Sequence, residues 1–183
     1  MDQHRAGEER KLGAQSLYEG RILKLEKWQV ELPGGKIASR EVVLHGGAAA
    51  IVPVDEQSRV ALVRQYRSPL SRFALEIPAG KLDFAGEDPL DCAKRELREE
   101  TGLIAEDWRF LSVFAPAPGY SSERIHLFLA RGLHSGPDDM DEDEFIELKW
   151  LPLTELLDRM RRGEIEDGKT LAGVLLAARI LGA

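Results

Sequence analysis

Residues Gly80 to Leu103, GKLDFAGEDPLDCAKRELREETGL, set the terms for the rest of the chain. Asp88 followed by Pro89 reads as an N-cap and a first helical residue, because the cap side chain accepts a free N–H and proline has none to leave unpaired. Gly102 ends the helix, since glycine takes the left-handed conformation found just past a helix. Between them lie about three and a half turns. Leu90, Ala93 and Leu97 recur at spacings of three and four and predict one buried face. Glu96, Glu99 and Glu100 recur in the same way and predict a face of gathered carboxylates.

Carboxylates gathered at the C-terminal end of a helix repel one another and are repelled by the macrodipole. A hard divalent cation such as Mg2+, which takes oxygen ligands, removes that penalty. The alternative is a solvated charged face balanced by Arg95 and Arg98. Cys92, the single cysteine, excludes an intramolecular disulfide and reads as a small packing residue inside the helix.

The stretch resembles the Nudix box, in which G, five residues, E and seven residues precede REUXEEXGU, with U a bulky apolar residue. Gly80, Glu87, Arg95, Glu96, Leu97, Glu99, Glu100, Gly102 and Leu103 match the typed positions. One departure stands out. Six residues separate Gly80 from Glu87, and the extra one falls in Asp83-Phe84-Ala85-Gly86, where a loop absorbs it at small cost.

The chain has 183 residues, which suggests one domain with a small appended element. With 43% hydrophobic and 31% charged residues it has the composition of a soluble globular protein. A net charge of −7 gives no general case for nucleic acid or an anionic membrane as partner. No apolar run reaches membrane-spanning length, and MDQHRAGEERKLGAQ lacks the apolar centre of a secretory signal, so the expected compartment is the cytoplasm.

Residues 1–15 are expected to be a loose tail. Residues 16–45 read as a hairpin, with strands around Leu23–Val30 and Ala38–Leu44 and a turn at Pro33-Gly34-Gly35-Lys36. Residues 46–183 form the main domain. Strands are expected at Ala48–Val54, Val60–Arg67 and Phe73–Ile77 before the box, and at Trp108–Phe114, Ile125–Ala130 and Ile146–Trp150 after it. Helices are expected at Leu153–Arg162 and Lys169–Leu181. Strands on both sides of a central helix argue for an α/β or α+β sandwich.

Several side chains carry two readings. Trp28 either covers part of a core or offers an aromatic face to a ligand ring or a second subunit. Arg64, Arg67 and Glu76 are either solvated or mutually paired, or they contact phosphate (the arginines) and a ribose or metal (Glu76). The acidic run from Asp138 to Glu144 is either a solvated loop or the source of a general base.

The resemblance extends to the ADP-ribose pyrophosphatase branch. Leu75-Glu76-Ile77-Pro78-Ala79-Gly80-Lys81 is similar to its lead into the box, Pro118 follows the box by fifteen residues, and Ile165-Glu166-Asp167-Gly168-Lys169-Thr170 is similar to its C-terminal signature. The resemblance implies a Nudix fold, a mixed sheet between helices with an N-terminal antiparallel β-element that exchanges between subunits of a homodimer. It implies Mg2+, or Mn2+, held by Glu96, Glu100 and the Ala79 carbonyl, with Glu99 as a further ligand or acid. Arg95 would orient the glutamates, Arg64 and Arg67 would hold phosphates, and Trp28 would stack on adenine. Glu142, with Glu144 as runner-up, would be the base. The implied reaction is cleavage of ADP-ribose to AMP and ribose 5-phosphate, with other nucleoside diphosphate sugars as a neighbouring substrate class and an ADP-ribose sensor as a non-catalytic alternative.

Overall fold

The computed structural model describes residues 7–83, 86–136 and 146–183. Among the described residues, ten strands and three α-helices run in the order β1 (Arg10–Glu19), β2 (Lys24–Glu31), β3 (Ile37–Leu44), β4 (Ala48–Pro53), β5 (Arg59–Arg67), β6 (Arg72–Glu76), β7 (Ala79–Lys81), α1 (Pro89–Thr101), β8 (Leu103–Phe114), β9 (Ile125–Ser135), β10 (Glu147–Pro152), α2 (Leu153–Arg161) and α3 (Gly168–Leu181), with a short 3-10 helix (Ser68–Leu70) between β5 and β6. They form two units.

The first unit holds residues up to 46 together with 115–123. It is an antiparallel sheet in the order β1-β2-β3. This differs from the expected tail over residues 1–15 and hairpin over 16–45. β1 begins at Arg10 and pairs with β2 from Arg10↔Glu31 to Glu19↔Lys24. Its sequence hid this because every residue of β1 is exposed, so it carries no buried apolar face. Backbone pairing and charge hold it instead, with Arg10 on Glu31 and Lys11 3.6 Å from Glu26. The loop carrying Pro118 runs beside β3: the Val43 N–H bonds to the Tyr120 carbonyl at 2.8 Å and the Ser122 N–H to the Val43 carbonyl at 2.9 Å.

The second unit holds residues 47–114 and 124–183. It contains one sheet in the order β10-β5-β6 and another in the order β7-β4-β9-β8, in which only the β4–β9 pair is parallel. β4 explains the layering. Alternate side chains of a strand face opposite ways. Ala48, Ala50 and Val52 enter a core with Leu153, Leu156 and Val174 of α2 and α3. Ala49 and Ile51 enter a second core with Cys92, Ala93 and Leu97 of α1. β9 repeats the division, with Ile125, Leu127 and Leu129 on one side and Phe128 and Ala130 on the other. With both faces covered, a strand reads as a continuous apolar run. The arrangement is the mixed α+β class, with helices on both faces of the sheet.

α1 has the expected ends. The Asp88 side chain accepts the Leu90 N–H at 2.8 Å, Pro89 opens the helix, and Gly102 at φ 67° donates its N–H to the Arg98 carbonyl at 2.8 Å. Leu97 is wholly buried in the second core. Leu97→Ala is expected to lower stability by about 2–5 kcal/mol, the usual cost of such a cavity, read from urea unfolding.

Candidate active site

β7 is an outer strand of its sheet, and its register with β4 aims the backbone toward α1. The Ile51 N–H bonds to the Pro78 carbonyl at 2.9 Å and the Leu82 N–H to the Gly47 carbonyl at 3.1 Å. Bonded and non-bonded pairs alternate in an antiparallel ladder, so Ala49–Gly80 is also a bonded pair. The polar groups of Ala79 and Lys81 therefore leave the sheet at its free edge. Two contacts agree with this. The Ala79 N–H donates to Glu100 Oε2 at 3.0 Å, and the Lys81 carbonyl accepts from Arg95 Nη2 at 3.1 Å. The Ala79 carbonyl leaves the same edge as the N–H that Glu100 accepts.

Gly80 lies against the third partner. A Cβ built on it would fall inside the carboxyl group of Glu96. Here glycine serves close approach, not a turn. Beside this contact Arg95 gathers charge: Nη1 lies 2.6 Å from Glu96 Oε1 and 3.1 Å from Glu99 Oε2, and Nη2 lies 3.3 Å from Asp83 Oδ2 and 3.5 Å from Glu87 Oε1. Burial alone would lower the Arg95 pKa, but the Glu96 and Glu99 carboxylates raise it well above the usual arginine value. Glu87 accepts the Asp83 N–H at 2.6 Å, so the lengthened loop still brings this carboxylate to Arg95. Cys92 packs beneath. Burial, then the charge of Glu96, pushes its thiol up to about 12, which suits packing and not nucleophilic attack.

Among the described residues, no three acidic, histidine or cysteine side chains converge as a ready metal cluster. The helical spacing puts Glu96, Glu99 and Glu100 near one another, but Arg95 draws Glu96 and Glu99 while Glu100 turns to Ala79. The donor set still fits a hard cation: carboxylates and a backbone carbonyl, with four carboxylates around one guanidinium and Glu100 beside them.

The expected phosphate ligands do not converge. Arg64 and Arg67 are three residues apart on β5, so they face opposite ways. Arg64 lies 3.2 Å from Glu147, stacks over Phe73 at 3.8 Å, and lines a cleft of about 650 Å³ with Lys149 and Trp150. None of the box carboxylates lines that cleft. Arg67 and Glu76 come together as partners, with Nε to Oε1 at 2.9 Å and Nη2 to Oε2 at 2.7 Å, and Lys169 joins them. Burial would raise the Glu76 pKa, but Arg67 and Lys169 outweigh it and hold the carboxyl at about 2. Lys169 was not legible as a site residue. Its only signal is its place in the Asp167-Gly168-Lys169-Thr170 stretch.

Trp28 lies on β2 of the first unit, half-buried. Its indole N–H donates to Glu26 at 2.7 Å, and the Lys11 ammonium sits 3.7 Å from the ring centre. Glu142 and Glu144 lie outside the described residues.

The NUDIX domain family matches residues 43–173. The chain belongs to the Nudix family. The ADP-ribose pyrophosphatase of Mycobacterium tuberculosis is 43% identical over 166 residues, 90% of this chain and 80% of that protein. The methanol dehydrogenase activator of Bacillus methanolicus is 42% identical over 169 residues, 91% of each chain. A crystal structure of ADP compounds hydrolase matches with a TM-score of 0.85 over 98% of this chain and 97% of that one, at 23% identity, which shows the shared Nudix fold. No helix among the described residues is long and apolar enough to cross a membrane.

Two outcomes follow from this geometry. Gly80→Ala should fold, since β7 is an outer strand, but should displace the Glu96 carboxylate and weaken Mg2+ binding measured by calorimetry. Glu76 titrates at about 2 in the folded protein against an ordinary 4.5. The unfolded chain thus binds the proton first as pH falls. The stabilisation is complete above the ordinary value and is lost as pH falls toward 2. The stability difference between wild type and Glu76→Gln should therefore narrow over that range in pH-dependent urea unfolding.

Proposed function

We propose that the protein hydrolyses the pyrophosphate bond of ADP-ribose to AMP and ribose 5-phosphate, using Mg2+ or Mn2+. The observation that carries this reading is the junction of Glu100 with Ala79, beside the Glu96–Gly80 contact. It supports Glu96, Glu100 and the Ala79 carbonyl as metal ligands, with Glu99 as a further ligand. The 43% identity to an ADP-ribose pyrophosphatase, over most of both chains, supports the substrate.

Glu96, Glu100 and the Ala79 carbonyl would hold a divalent cation, which would supply neutralising charge for the phosphates and help a water to lose its proton. Arg95 keeps Glu96 and Glu99 in place through its paired contacts. Glu142, or Glu144, accepts the proton of the attacking water. The water oxygen bonds to one phosphorus and the bridging P–O bond breaks. The Arg67–Glu76 pair uses Nε and Nη2, which leaves Nη1 outside those two bonds for a phosphate oxygen. Glu76 then serves the substrate through Arg67. Arg64 is a phosphate contact only for a group that reaches the other face of β5. Trp28 would stack on adenine, with Glu26 and Lys11 fixing its ring, and the N-terminal sheet would join two copies in a homodimer. The cytoplasm is the compartment that fits this substrate.

A second reading rests on the Bacillus methanolicus relative, which is nearly as similar and is a methanol dehydrogenase activator. Under it, the protein would act on a partner dehydrogenase, and a hydrolytically dead variant that still stimulates such an enzyme would favour it.

Incubation with ADP-ribose and Mg2+ should give AMP and ribose 5-phosphate, read by product chromatography, and excess EDTA should abolish turnover. Glu100→Gln should lose more than the ~10–100-fold that removal of an outer partner of a metal ligand costs. Intact ADP-ribose after incubation with metal-loaded wild type would overturn the assignment.

A further inference from the structure

The segment from Glu76 to Gly80 carries the Ala79 carbonyl, and three elements hold it. β4 takes the Pro78 carbonyl, α1 takes the Ala79 N–H through Glu100, and α3 takes the residue before them. The Ile77 N–H donates to Thr170 Oγ1 at 2.9 Å, and both residues are wholly buried. The Thr170 hydroxyl has one proton, and it goes to Asp167 Oδ2. The same carboxylate oxygen accepts the Thr170 N–H at 3.0 Å as the cap of α3. The cap alone needs only the backbone N–H of Thr170. The hydroxyl adds a fixed link from the helix N-terminus to the strand, with Asp167 setting its direction.

Two neighbours reinforce the link. Lys169 pairs with Glu76, the residue before Ile77, and lies 3.1 Å from Asp167. Gly173, one turn on, lets α3 lie flat against the strand: a Cβ there would stand 3.0 Å from Val52 Cγ2 and 3.1 Å from Ile77 Cδ1. Successive residues Glu76 and Ile77 are thus clamped by α3, two positions before the Ala79 backbone meets Glu100.

We infer that Thr170 is a positioning residue for the metal site, acting through the Ile77 N–H to set the Ala79 carbonyl against the Glu100 carboxylate. The inference rests on the metal-site reading above. Thr170 touches neither metal nor substrate. Its effect is on the geometry of a ligand two residues from the atom it holds, in the way that outer partners tune a metal by orienting its ligands.

The test is Mg2+ titration by calorimetry of wild type, Thr170→Val, Thr170→Ser and Glu100→Gln, with thermal unfolding alongside. Valine keeps the volume and the backbone cap but removes the acceptor. Thr170→Val should bind Mg2+ about tenfold more weakly, the low end for an outer partner. Thr170→Ser should restore affinity to within about twofold, because it restores the acceptor. Gly173→Ala, whose methyl would crowd Val52 Cγ2 and Ile77 Cδ1 without touching Thr170, should weaken Mg2+ binding in the same direction, and wild-type affinity in it overturns the inference if Thr170→Val does not fold. Wild-type Mg2+ affinity in Thr170→Val, with only a lowered melting temperature, overturns the inference and leaves the metal site standing. Absence of Mg2+ binding in the wild type overturns the metal reading and the inference together.

Discussion

The Arg95 guanidinium lies among the carboxylates of Asp83, Glu87, Glu96 and Glu99, and the charge around it is far from balanced. A single cation cannot neutralise four anions, yet it can decide where they point. Arg95 also reaches the Lys81 carbonyl, so the same side chain ties helix to strand. The box loop, the helix and the sheet edge all meet at this residue. An arginine suits the task because its planar fork offers several donors in fixed directions, where a lysine would offer one point of charge.

The partition of β4 sets the frame around that centre. Small residues at Ala49 and Ala50 let α1 and α3 approach the sheet from opposite faces. Gly173 and Gly80 extend the principle to single contacts, one where a helix meets a strand and one where a carboxylate meets a backbone. Precision in the site thus comes from what is missing at these four positions as much as from the charged groups that fill it.

Much of this was legible in the chain. The ends of α1 were readable from Asp88-Pro89 and Gly102, because caps are local chemistry. β4 was readable from its apolar run because both its faces are covered, but β7 was not expected, and β8 and β9 run beyond the expected Trp108–Phe114 and Ile125–Ala130. β1 was not, since a strand with no buried face leaves no periodic trace. The box carboxylates were readable as a group, and the resemblance implied Arg95 as the residue that orients them; helical spacing could not say which two it would take, nor that the Ala79 N–H would take Glu100. Arg64 and Arg67 were grouped by residue type, although the two-residue period of a strand separates them. The pairing of Glu76 with Lys169 joins residues 93 positions apart and has no local signature.

The first unit is built from two separate pieces of chain, because residues 115–123 run beside β3. It is therefore not a detachable appendage. Removing the first 46 residues would strip the Pro118 loop of the strand that accepts and donates its backbone bonds, while its own turn, with the Tyr120 and Ser121 N–H groups on the Ala117 carbonyl, would stay within the loop between β8 and β9.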